Sequence, residues 1–153
     1  MRIMTYMIGT EMTPQQAAPR FHYAFAISGI ERAREFYVQL LGCAEGRSTD
    51  HWIDFELFGH QLSAHLGTPA GAACEGTVDG HAVPIPHFGA ILEIGQFWKF
   101  AEQLRAAGIS FLMEPALRFV GKPGEQATMF FLDPDGNALE FKAFVRQDEV
   151  FAR

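Results

Sequence analysis

Cysteine is almost missing from this chain: among 153 residues only Cys43 and Cys74 carry thiols. Two cysteines without CxxC spacing build neither a disulfide framework nor a structural zinc or redox site, and a reducing cytoplasm is the expected setting. Basic residues are scarce too. Twelve Lys and Arg against eighteen Asp and Glu give a formal net charge of −6 and a pI of about 5.4. No cluster of Lys and Arg is present to neutralise a phosphate backbone, so nucleic acid is excluded as an expected partner. Long apolar runs are also lacking. Residues 1–19 mix Arg2, Tyr6, Gly9, Thr10 and Glu11 with a Gln-Gln-Ala-Ala-Pro stretch, unlike the unbroken apolar core of a signal peptide or membrane span. They read as a loosely ordered extension; docking of Met1, Met4, Met7 and Met12 on a partner subunit is the alternative.

What the chain does have is apolar mass and a repeat. A hydrophobic content of 48% with 20% charged residues suits one soluble domain with a sizeable core. Arg20-Phe21-His22-Tyr23-Ala24-Phe25-Ala26-Ile27 reads onto Ile85-Pro86-His87-Phe88-Gly89-Ala90-Ile91-Leu92, the two histidines lying 65 residues apart. Each is a strand-like run with one histidine near its start, and each leads into an amphipathic helix. In the first copy Ser28-Gly29-Ile30-Glu31 has the form of a capping box, followed by Ala33, Phe36, Tyr37, Leu40 and Leu41 at helical spacing before Gly42. In the second, Phe97, Phe100, Ala101 and Leu104 mark the helix face, Gly108 stops it, and a strand over 109–113 precedes Pro115.

Paired β-like runs follow each helix, 52–58 with 61–66 and 127–132 with 138–144. The second pair is joined by Asp133-Pro134-Asp135-Gly136-Asn137, whose acids read as turn formers. Taking Gly59 and Gly136 as equivalent pairs Ser63 with Glu140. Segment 67–86, rich in Gly, Ala and Pro, reads as an irregular linker. The expected organisation is an extension (1–19), one domain (20–146) with module one at about 20–68, a linker at 69–84 and module two at 85–146, and a tail (147–153).

These residues resemble the vicinal oxygen chelate superfamily of glyoxalase, bleomycin-resistance and extradiol-dioxygenase proteins over roughly 20–144. The supports are the paired strand-histidine starts, Ala33-Arg34-Glu35-Phe36-Tyr37-Val38-Gln39-Leu40-Leu41-Gly42, and the ending Phe130-Phe131-Leu132-Asp133-Pro134-Asp135-Gly136-Asn137-Ala138-Leu139-Glu140-Phe141. The resemblance implies an α+β fold of two βαβββ modules forming a curled mixed sheet around a metal cleft. It also implies His22, His87 and Glu140 as metal ligands, and a homodimer. Two imidazoles and one carboxylate suit Fe(II), the favoured metal, and also Zn, Mn, Ni or Co. The fourth family position falls on Ser63, a poor ligand. This favours an extradiol-type dioxygenase acting on a small substrate with adjacent oxygens. A glyoxalase-like lyase or isomerase is the runner-up, and a drug-sequestering resistance protein the non-enzymatic rival.

Strand alternation places Gln61 and His65 on the face of Ser63, a register shift of two making either of them the fourth-position residue, and only a much larger shift Glu56. His65 is the candidate acid or base, and Gln61 and Ser63 are candidate cleft residues. Arg118, ahead of the strand at 127–132, is a candidate for orienting a carboxylate or enolate oxygen. His60 reads as a turn residue. His51 and His81 fall in loop-like sequence, with Asp79-Gly80-His81 a candidate flap over the cleft.

Overall fold

The computed structural model describes residues 18–71 and 74–151. Most of the N-terminal extension, with the docking role considered for its methionines, therefore lies outside the described residues. The first module runs β1 (His22–Ile27), α1 (Ile30–Arg34) continued by a π-helical stretch (Glu35–Leu40), β2 (Ala44–Ser48), β3 (Trp52–Leu57) and β4 (His60–Leu66). A hairpin, β5 (Cys74–Val78) and β6 (His81–Ile85), follows. The second module repeats the plan with β7 (His87–Ile91), α2 (Ile94–Ala106), β8 (Phe111–Arg118), β9 (Gln126–Leu132) and β10 (Ala138–Phe144), before a 3-10 turn at Gln147–Glu149. No helix among the described residues is long and apolar enough to cross a membrane.

Each module folds as its own four-stranded sheet, ordered β1-β4-β3-β2 and β7-β10-β9-β8. The first strand of each pairs in parallel with the last, and the remaining pairs are antiparallel. The two βαβββ modules of the α+β expectation are present. Their sheets, however, are separate and do not close around one cleft within the chain.

Alternation of side chains decides which faces meet. Phe25, Ile27, Ile53, Phe55, Leu62 and Ala64 of the first sheet and Ala127, Met129, Phe131, Leu139 and Phe141 of the second join Phe36, Tyr37, Phe97, Phe100 and Leu104 from the helices in one core. The modules thus bury their helix-bearing faces against each other. Tyr23 and Phe25 pack at a tilt against Phe88, at 4.9 and 5.0 Å between ring centroids, and Phe58 packs on Phe100 and Phe141 of the other module. Each fully buried phenylalanine contributes about 2 kcal/mol. The opposite sheet faces, which carry His22 and His87, point away from this core.

Local expectations meet three corrections. Ser28 does not cap α1: the N-cap is Gly29, without a side-chain bond, and the Ser28 hydroxyl donates to Asp135 of the second module at 2.6 Å. The segment read as a linker contains the β5–β6 hairpin, so His81 lies in a strand. The strand expected to stop before Pro115 runs on to Arg118. It tolerates the proline because β8 is an edge strand with two register shifts. The Asp133 turn is as expected: its carboxylate accepts from the amides of Asp135 and Asn137 at 2.9 and 2.8 Å, and Gly136 takes φ +82.

Candidate metal centre

His22 opens β1 on the outer face of the first sheet, directly opposite Gln61 of β4. Its Nδ1 meets the Gln61 Oε1 at 2.9 Å. That oxygen only accepts, so Nδ1 carries the hydrogen and Nε2 keeps its lone pair for a metal. Gln61 is held in turn through its Nε2, which donates to the Asp54 Oδ2 at 3.2 Å. The Ser63 hydroxyl donates to the other Asp54 oxygen at 2.5 Å, and Arg47 lies 3.5 Å from the same carboxylate. Asp54 is only 6% exposed, yet it lines an open cleft of about 620 Å³ with Arg20, His22, Arg47, Glu56 and Gln61.

His87 repeats the arrangement in the second sheet. Its Nδ1 donates to the Pro84 carbonyl oxygen at 2.6 Å, turning Nε2 toward Glu140 Oε2 at 3.2 Å. Glu140 also accepts from the Thr128 hydroxyl at 3.0 Å and pairs with Lys142 at 3.1 Å. The hydrogen bond to Glu140 raises the His87 pKa above its ordinary value, and burial opposes it only in part. Burial pushes Glu140 upward, but the bonds from His87 and Lys142 outweigh it and hold the carboxyl below the usual range. The His87 Nε2 and Glu140 Oε2 face each other at the spacing over which a divalent cation could be shared, and an imidazole nitrogen beside a carboxylate oxygen is a donor pair that fits such a metal.

The register makes Ser63 the counterpart of Glu140, since Ala24 faces Ser63 in β1–β4 and Gly89 faces Glu140 in β7–β10. The three expected ligands do not gather inside one chain. His87 and Glu140 meet, and His22 belongs to a different cleft. Among the described residues no group of three His, Cys, Asp or Glu is close enough to hold a metal.

His22 and His87 thus occupy equivalent places on a duplicated βαβββ frame. The sequence profile of the Glyoxalase/Bleomycin resistance protein/Dioxygenase superfamily matches residues 21–141. The chain belongs to this superfamily. A glyoxalase/bleomycin resistance protein/dioxygenase from Alicyclobacillus acidocaldarius is similar in structure, with 28% identity, a TM-score of 0.74, and coverage of 90% of this chain and 99% of that one. The fosfomycin resistance protein FosX from Listeria monocytogenes shares the fold at 15% identity and a TM-score of 0.61, over 88% of this chain and 98% of that one. So does a glyoxalase/dioxygenase from Nostoc punctiforme, at 16% identity and 0.62, over 91% and 99%. No curated protein matches the chain.

Ser63 and Gln61 lie on the His22 face and are bonded to Asp54. His65 lies on that face too, but four residues beyond Gln61, about 13 Å along the strand, where it is exposed and its ring lies 6.4 Å from that of Trp52 at a tilt. Glu56 accepts from the Gly59 amide at 2.6 Å. His60 accepts from the Phe21 amide, and His51 is exposed. Arg118 ends β8 opposite Gln126 and lines a small cavity with His87, Thr128, Glu140 and Lys142. The β5–β6 hairpin borders that cavity with Val78 and Val83, so the segment considered as a flap lies beside His87 and Glu140. Asp54, Thr128 and Lys142 carry no motif or periodic signal in the sequence, yet they bond Ser63 and Glu140. A two-residue turn at Phe58-Gly59 sets the pairing of β3 with β4 and brings Asp54 opposite Ser63.

Proposed function

We propose that the protein is a divalent-metal-dependent enzyme acting on a small substrate with adjacent oxygens, and that its working unit is a homodimer. In it, His22 of the partner subunit would complete the ligand set begun by His87 and Glu140. One observation carries this reading: each imidazole has its Nδ1 pinned by a carbonyl oxygen and its Nε2 free of backbone bonds, on sheet faces that the chain's own core leaves uncovered. A bound divalent ion, Fe(II) or one of Zn, Mn, Ni and Co, would supply Lewis acidity to a chelated substrate. The scarcity of cysteine favours a cytoplasmic setting.

Asp54 favours a proton-transfer reaction of the lyase or isomerase type. Such chemistry requires a base near the substrate, and Asp54 is a carboxylate lining the His22 cleft, tied to that histidine through Gln61. Ser63 and Arg47 would hold and orient its carboxylate. The dioxygenase reading has its own support in Ser63, whose hydroxyl is engaged by Asp54 and leaves a three-donor set open to substrate and dioxygen.

Two assays on metal-loaded protein separate these chemistries. With hydroxyacetone in D2O, proton transfer predicts exchange of the hydrogens on the hydroxyl-bearing carbon, lost in Asp54→Asn at unchanged metal content. Oxygen uptake with catechols after Fe(II) loading, without such exchange, would favour the dioxygenase instead. A protein that takes up no metal would contradict both and favour a ligand-sequestering role.

A further inference from the structure

We propose that Arg118 and Gln126 form a recognition subsite for a substrate oxyanion that carries a neighbouring hydrogen donor, as an α-hydroxy acid does. The inference deepens the metal-enzyme reading of the same face and rests on it for the role of the bound group.

Arg118 and Gln126 face each other across the β8–β9 pair. The Arg118 Nε and the Gln126 Oε1 are both buried, and neither has a hydrogen-bond partner. Buried polar atoms without partners are rare because desolvation then goes uncompensated. A donor and an acceptor on directly opposed side chains are free to satisfy each other, and these two do not. Both residues line a cavity of about 90 Å³, room for about three water molecules.

Charge points the same way. Arg32, Arg34, Arg47, Arg105 and Arg146 each pair with a carboxylate, and Lys142 in this cavity is engaged by Glu140. Arg118 has no ion pair among the described residues. Val78, Val83, Met113 and Phe130 furnish apolar walls, which strengthen a charge-assisted bond to any anion that enters. Gln126 Oε1 only accepts, so the occupant must also donate a hydrogen. A carboxylate next to a hydroxyl meets both demands, and its oxygens are adjacent, as chelation beside His87 and Glu140 requires.

Calorimetric titration of the full-length protein, metal-free and Zn-loaded, with glycolate, acetate and ethylene glycol tests the subsite. Glycolate is expected to bind metal-free protein with an affinity on the order of millimolar, more tightly than acetate, and ethylene glycol not at all. Arg118→Met should weaken glycolate by about tenfold or more, and Arg118→Lys, which keeps the charge but lacks Nε, should fall between. Gln126→Glu hands Arg118 an internal carboxylate and should also abolish binding while preserving the fold by circular dichroism. Glycolate affinity unchanged in folded Arg118→Met or Gln126→Glu would overturn the subsite, even with metal uptake intact. Loss of metal uptake with Arg118-dependent glycolate binding retained would contradict only the metal reading.

Discussion

Gly89 sits opposite Glu140 in the parallel pairing of β7 with β10, and a Cβ added at position 89 would collide with the Glu140 carbonyl oxygen. The missing side chain lets the strand bearing His87 lie close against the strand bearing Glu140. Gly89→Ala must therefore move one of these backbones. It is expected to cost about 2–3 kcal/mol of stability in urea unfolding and to weaken metal uptake. Unchanged midpoint and metal content would show that β7 yields freely.

Gln61→Leu removes the acceptor that pins the His22 Nδ1 while leaving the imidazole in place. Metal affinity is expected to fall about 10–100-fold, with circular dichroism unchanged. A titration identical to that of the parent protein would remove Gln61 from the site.

The modules are tied by Asp135, which accepts from the Ser28 amide at 3.0 Å and hydroxyl at 2.6 Å and pairs with Arg32. Burial opposes its ionisation, but these partners outweigh it and hold its pKa below the ordinary value. A depressed carboxylate adds stability that is complete above its unfolded pKa of about 3.9 and is lost as pH falls through the folded value. Asp135→Asn should cost about 2 kcal/mol at neutral pH and lessen the decline in stability below about pH 4. A decline as steep as in the parent would assign it to other carboxylates.

Cys43 is buried between the helix end and the first sheet, and burial raises its thiol pKa to about 12. In Cys74→Ser protein it should resist iodoacetamide at pH 8 for as long as the chain is folded and react on unfolding. Prompt labelling of native protein would mean that this part of the core opens readily.

The elements most legible in the sequence were those whose apolar spacing matched a single buried face. Phe97, Phe100, Ala101 and Leu104 announce α2, and the glycine equivalence of 59 and 136, both at positive φ, predicts the true register of Ser63 against Glu140. β2 offers no such signal because Ala44-Glu45-Gly46-Arg47-Ser48 is exposed throughout. The β5–β6 hairpin was hidden by its Gly- and Pro-rich composition. Ser28 misleads as a cap because a carboxylate 107 residues away competes for its hydroxyl. The equivalent placement of His22 and His87 at the starts of β1 and β7 was legible from the repeat. Their separation was not, because alternation assigns His22 and His87 to outer faces without saying which sheets meet.

The most direct test of a centre shared between two copies is metal content after refolding His22→Ala and His87→Ala proteins together. Each variant alone should bind almost no metal. In a mixed dimer, His22 of one copy meets His87 and Glu140 of the other at one of two sites, so random pairing should restore about a quarter of an ion per chain. Absence of any restoration, with mixed dimers shown to form, would contradict a centre built across the dimer.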